Sequence, residues 1–333
     1  MGPVATKIAE FQDDAPIFSL AFSPDGRQLA ANWSMGVDIH LWVWQGRSRI
    51  IRTLQKPQGT GTAGLWDSLR YSPDGRLLAI AHRWSGTADG GGAIRIWDTR
   101  SWEVVHTIAE PRLPVEVSGL AFSSDGKYFI YADQRAGDPA DNLVIVKTDT
   151  WERSWELVTT PLEPSALALS ADGRFAAVGG TVPGPGEIFY PQILIVDLVT
   201  HAKTRTIEAF PVSSGIERLA WSVDGSRIAA GVRPIFSSSS LKGATVKIFD
   251  AKTGQQVGSD ESSGTAHVTG LTFTSNGKYL IVGGLNSTVR IWDANHDAVV
   301  QTIPTDASAI AVSNDGHHIA IAMDAEISVW EFK

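Results

Sequence analysis

The chain has 333 residues, with 28 Lys and Arg against 36 Asp and Glu for a net charge of −8, 43% hydrophobic residues, 12 Trp and no Cys. The acidic balance argues against a protein that coats nucleic acid or an anionic membrane, since both reward a basic excess. The missing Cys removes disulfide frameworks, thiolate metal sites and Cys nucleophiles together.

No run approaches the roughly 18–20 apolar residues that span a bilayer, and the start lacks a signal peptide's apolar stretch. A soluble, cytoplasmic protein is expected. Length alone suggests two domains of roughly 150 residues each, but an internal repeat overrides that prior. Asp-Gly or Asn-Gly turns end at Gly26, Gly75, Gly126, Gly173, Gly225, Gly277 and Gly316, which are 49, 51, 47, 52, 52 and 39 residues apart.

In chain order, residues 1–10 read as an isolated strand, followed by units at 17–54, 66–108, 117–159, 164–208, 216–258, 267–303 and 307–333. Each unit opens on an alternating segment such as Phe18-Ser19-Leu20-Ala21-Phe22-Ser23. Six residues before the turn glycine stand Leu20, Leu69, Leu120, Leu167, Leu219, Leu271 and Ile310. Period 2 with large residues on one face and small ones on the other marks a strand packed on both sides. After the turn comes a second apolar strand, as in Leu77-Leu78-Ala79-Ile80-Ala81. A third follows, such as Ile94-Arg95-Ile96-Trp97-Asp98, and then a shorter, more polar fourth, such as Val104-Val105-His106-Thr107-Ile108. Asp-Gly between alternating runs is a strong hairpin signal, and four strands repeated seven times predict an all-β, seven-bladed β-propeller. The last unit has only three strands. Residues 4–10 match fourth strands elsewhere, so the N-terminus should complete the last blade, close the ring and cover its open edge.

The units resemble WD40 repeats, with the Ser-Pro-Asp-Gly turn at Ser23–Gly26 and Ser72–Gly75 and a terminal Trp-Asp at Trp97-Asp98 and Trp292-Asp293. The resemblance covers essentially the whole chain, in degenerate repeats of a bacterial type. TolB-like and lactonase-like propellers share the turn. The family's Gly-His survives only as Ala266-His267, so its His–Asp hydrogen-bond network is not expected throughout.

From turn glycine to third-strand aromatic, the sixth and seventh units need 15 and 14 residues, whereas the second, fourth and fifth need 22, 23 and 24. The excess falls between second and third strands. In a propeller resembling WD40 proteins these connections lie on the top face, and loops on rigid scaffolds carry binding residues. They contain Trp33; His82, Arg83 and Trp84; Asp133 and Arg135; Pro183, Pro185, Phe189 and Tyr190; and Arg233 and Phe236. Arg and aromatic residues are enriched at interface hot spots, so these are the candidate partner-binding residues. The bland alternative has each arginine solvated at the rim or paired with Asp67 or Glu217. Eight residues before the turn glycine, Phe18, Asp67 and Glu217 replace the Ser or Thr of the other units and form a candidate channel mouth. An ion-pair network with Arg70 and Arg218 is favoured there over a ligand site, because unpaired charge near a core is costly.

Gly59-Thr60-Gly61-Thr62-Ala63-Gly64 fits Gly-x-Gly-x-x-Gly but leads into a strand, whereas a dinucleotide site opens a helix. No catalytic constellation, metal site or cofactor is expected. The leading expectation is a non-catalytic scaffold or sensor that binds a protein or an acidic peptide segment on its top face. The ring is expected to be monomeric, without nucleic acid or membrane partners, and to suit a domain of a larger protein. The alternative is a small-ligand-binding or hydrolytic propeller using the central channel.

Overall fold

The computed structural model describes residues 4–33, 38–55, 69–83, 92–110, 116–134, 142–186, 188–210, 214–234, 246–260, 267–285 and 288–332. These residues hold no helix and form seven four-stranded antiparallel sheets. The first strand of each sheet touches the first strands of both neighbours, and the last touches the first, which makes a closed ring of seven blades. Closure occurs as expected: the N-terminal strand Ala5–Gln12 pairs antiparallel with Glu326–Phe332 as the outer strand of the last blade.

The core is seven separate seams, one between each pair of blades. Leu78 and Ile80 pack against the first blade, while Ala79 and Ala81, alternating with them, meet the large Phe129 and Tyr131 of the third. Large residues on one face and small ones on the other let wedge-shaped blades approach without voids. The approach is close enough that a Cβ on Gly270 would stand 2.7 Å from the Ile310 Cβ, and one on Gly231 would stand 2.5 Å from Val268.

At one end of the ring every blade carries the same turn. Ser23, Ser72, Ser123, Ser170, Ser222 and Ser313 donate their hydroxyls to Asp25, Asp74, Asp125, Asp172, Asp224 and Asp315, at 2.5 to 2.6 Å. In the sixth blade Thr274 and Asn276 make the same bond at 2.7 Å. Each turn glycine has a positive φ, between 68° and 74°, where a side chain would be strained. The carboxyls are held below their ordinary range. For Asp125, Asp172 and Asp224 the serine hydroxyl is the leading cause, with a backbone amide behind it. For Asp25, Asp74 and Asp315 burial pushes upward first, and the same hydrogen bonds outweigh it.

Two sets of β-bulges have no sequence signature of their own. Outer strands bulge at Ile8, Ile51, Val105, Ser154, Thr204, Val257 and Val300, each skipped in the pairing register. A bulge spoils an exposed edge as a template for another strand. Next to the bulge, Arg52, His106 and Trp155 reach the following blade, where Trp102, Trp151 and His201 sit in the turn before its outer strand. Arg52 lies 5.9 Å over Trp102, His106 stacks on Trp151 at 5.0 Å, and Trp155 stacks on His201 at 4.4 Å. All three turn residues have φ near +60°, a conformation sparsely used by non-glycine residues. The ring contacts offset that strain.

The seam between last and first blades is pinned differently. The Asp13 carboxylate accepts bonds from His40 Nδ1 at 2.6 Å, Trp42 Nε1 at 2.9 Å and the Asp14 amide at 2.7 Å, while its own amide reaches Ala325 O. A carboxylate only accepts, so Nδ1 is the protonated nitrogen of His40.

Candidate functional site

The end opposite the Asp-Gly turns is where second strands finish and third strands begin. Its register brings the sequence candidates onto common levels. Trp33 pairs with Ile17 and Asp133 with Val117, two residues beyond the partners of Leu20 and Leu120; His82 lies equally far beyond Ile80, the partner of Leu69. Arg83 and Arg233 occupy the next level, Arg233 opposite Gly215. Their backbones thus share one rim. The side chains of Trp33, His82, Arg83, Asp133 and Arg233, and all of Trp84, Arg135 and Phe236, lie outside the described residues, as do Asp67 and the Gly59–Gly64 motif.

Blade four corrects the expectation of a loop. Phe175–Gly184 and Ile188–Asp197 stay paired to their ends, Val182 opposite Tyr190 and Pro183 opposite Phe189. The outer strand stops pairing at Gln192 and the inner one at Thr181, so the segment beyond is a two-stranded arm. Pro183, Gly184, Pro185 and Gly186 give it a loop-like composition, but Gly186 with φ 70° makes the turn and the ladder continues. The Tyr190 ring lies against Gly184, whose Cβ it would displace. Tyr190 remains 40% exposed, and Val182, Ile188 and Phe189 are half-buried. The arm is apolar on an acidic molecule.

At the channel mouth, the position eight residues before the turn glycine is a bulge of the inner strand. Phe18, Ser118, Ser165, Glu217 and Thr269 are each skipped in the register. Three hydroxyls there donate to the next blade's backbone: Ser165 to Ile216 O at 2.5 Å, Ser308 to Ile17 O at 2.6 Å, and Thr269 to Ala307 O. In the fifth blade Arg218 takes over, its Nε donating to Thr269 O at 2.9 Å and Nη1 to Glu217 O at 2.7 Å. The Glu217 carboxylate faces His267 Nδ1 at 3.8 Å. Phe18 lines the channel.

The channel itself has a volume of about 450 Å³. Five residues before each turn glycine, Ala21, Arg70, Ala121, Ala168, Ala220, Thr272 and Ala311 form one level of its wall. Among the described residues lining it, none is Asp, Glu or His. Among the described residues, no group of three His, Asp or Glu could hold a metal, and no helix is long and apolar enough to cross a membrane.

Fold and turns together define a seven-bladed β-propeller. Residues 258–293, which run into the Trp292-Asp293 strand of the sixth blade, match the family model for the WD domain, G-beta repeat. The chain is also 23% identical over 173 residues to SEC12-like protein 2 of Arabidopsis thaliana, a stretch that is 52% of this chain and 40% of that protein. The chain is thus a seven-bladed β-propeller whose sixth blade matches the WD40 repeat.

Proposed function

We propose that this propeller is a non-catalytic, cytoplasmic interaction module that holds a protein or peptide segment on the end opposite its Asp-Gly turns. The observation carrying this reading is the blade-four arm, which holds Phe189 and Tyr190 beyond the sheet at the end where Arg83 and Arg233 close their strands. Aromatic groups left partly exposed on a projection are side-chain types that anchor interfaces. The channel offers less support for catalysis, because its described wall contains no carboxylate or imidazole to act as a general base.

Partner capture by wild type would be compared with Phe189→Ala/Tyr190→Ala and with Arg83→Ala/Arg135→Ala/Arg233→Ala, folding being checked by circular dichroism. The reading expects folded variants that lose the partner. Equal recovery by all three folded proteins would sink it.

A further inference from the structure

The charge of this molecule is unevenly distributed. Residues 17–108 hold 10 Lys and Arg against 7 Asp and Glu, while the rest of the chain holds 18 against 29. The excess concentrates after the third strand of blade one: from residue 39 to 66 there is no acid, but Arg47, Arg49, Arg52 and Lys56 are present. The side chains of Arg47, Arg49 and Arg52 are all exposed. Among the described residues none of the three has an ion-pair partner. On two other outer strands a cation is neutralised, Lys7 by Glu10 at 2.8 Å and Arg153 by Glu156 at 3.2 Å.

Local geometry gathers these arginines. The outer strand Arg49–Gln55 bulges at Ile51, which inverts the alternation. Ile50 packs toward the last blade and Leu54 toward the second. Arg49, alternating with Ile50, therefore shares the second-blade side with Arg52, whose guanidinium lies over Trp102. Ile51 is 40% exposed between them. Among the described residues, Arg49 and Arg52 stand without ion-pair partners on either side of Ile51 along the strand, with Arg47 in the bend before it, on a protein of net charge −8.

We propose that this rim of blade one docks an acidic, extended segment of a partner protein, at a surface distinct from the top-face site. Guanidinium forks take carboxylates bidentately, and Ile51 and Trp102 supply apolar contact between the charges. The bulge blocks edge-on strand addition, so recognition runs through side chains. The acidic remainder of the surface repels the same segment, which confines it to one place.

The test is fluorescence anisotropy with a labelled Glu-Ser-Glu-Val repeat peptide, its Gln-Ser-Gln-Val analogue serving as the uncharged control. Wild type should bind the acidic peptide, more weakly as salt rises, and leave the analogue free. R47S/R49S should bind about tenfold more weakly with an unchanged unfolding midpoint. K203S/K252S, which removes exposed cations elsewhere, should bind as wild type does. No binding by wild type, or equal binding by R47S/R49S, overturns the proposal. It is equally overturned if wild type ignores the peptide and these arginines are needed only for phosphatidylserine vesicles or for self-association.

Discussion

The two ends of the ring are built under different rules. At one end, seven turns repeat a single device, a hydroxyl bonded to the side chain two residues on, ahead of a glycine of positive φ. At the other, the connections differ in length and composition, and in blade four the connection is a paired arm. Repetition marks what the ring needs to exist, because each blade faces the same closure problem. Variation marks what that problem leaves free. One connection at the variable end breaks this rule: the Asp13 segment is as tightly held as any turn.

That exception supplies the largest expected effect. Asp13→Ala strands the His40 and Trp42 donors in a buried seam and should cost about 3 kcal/mol, read by chemical unfolding. A variable-end residue would then prove structural, while the arm residues of blade four would not. Next comes Gly270→Val, which forces new atoms into Ile310; overpacking of this kind costs about 1–3 kcal/mol. It should lower the unfolding midpoint without reference to either end.

A smaller effect sharpens the turn end itself. Carboxyls held low in the folded state stabilise it above the ordinary carboxylate pKa of about 4, and that stabilisation is lost as pH falls through their folded values. The unfolding midpoint should therefore fall between about pH 5 and pH 3. Asp74→Asn, copying the natural Asn276, should cost about 1 kcal/mol at neutral pH and reduce the acid sensitivity. An unchanged acid response in that variant would mean that the turn carboxylates do not set it.

The blades were legible because their signals are local: Asp-Gly turns, two-residue alternation and a completing strand at the N-terminus. The bulges were not. Phe18 and Glu217 share a backbone irregularity with Ser165 and Thr269 but not their hydroxyl, so they read as a channel mouth although the position serves the seams. The outer bulge at Ile51 shows only as a slip in phase between Ile50 and Leu54. Trp102 and Trp151 look like ordinary turn residues, since Arg52 and His106, which pack on them, belong to the preceding blades. In the arm, Pro183 and Pro185 signal a loop, and only the ladder from Val182 to Tyr190 reveals otherwise. Of the candidate site, Arg83 and Arg233 each stand eight residues past their turn glycine, and the register sets them on one level.

The division between the two ends is tested most directly by the unfolding of Arg83→Ala/Phe189→Ala/Tyr190→Ala/Arg233→Ala beside Asp13→Ala. If the variable end is free for binding, the fourfold variant should unfold within about 1 kcal/mol of wild type. A loss as large as that of Asp13→Ala would contradict the account and make those side chains part of what holds the ring together.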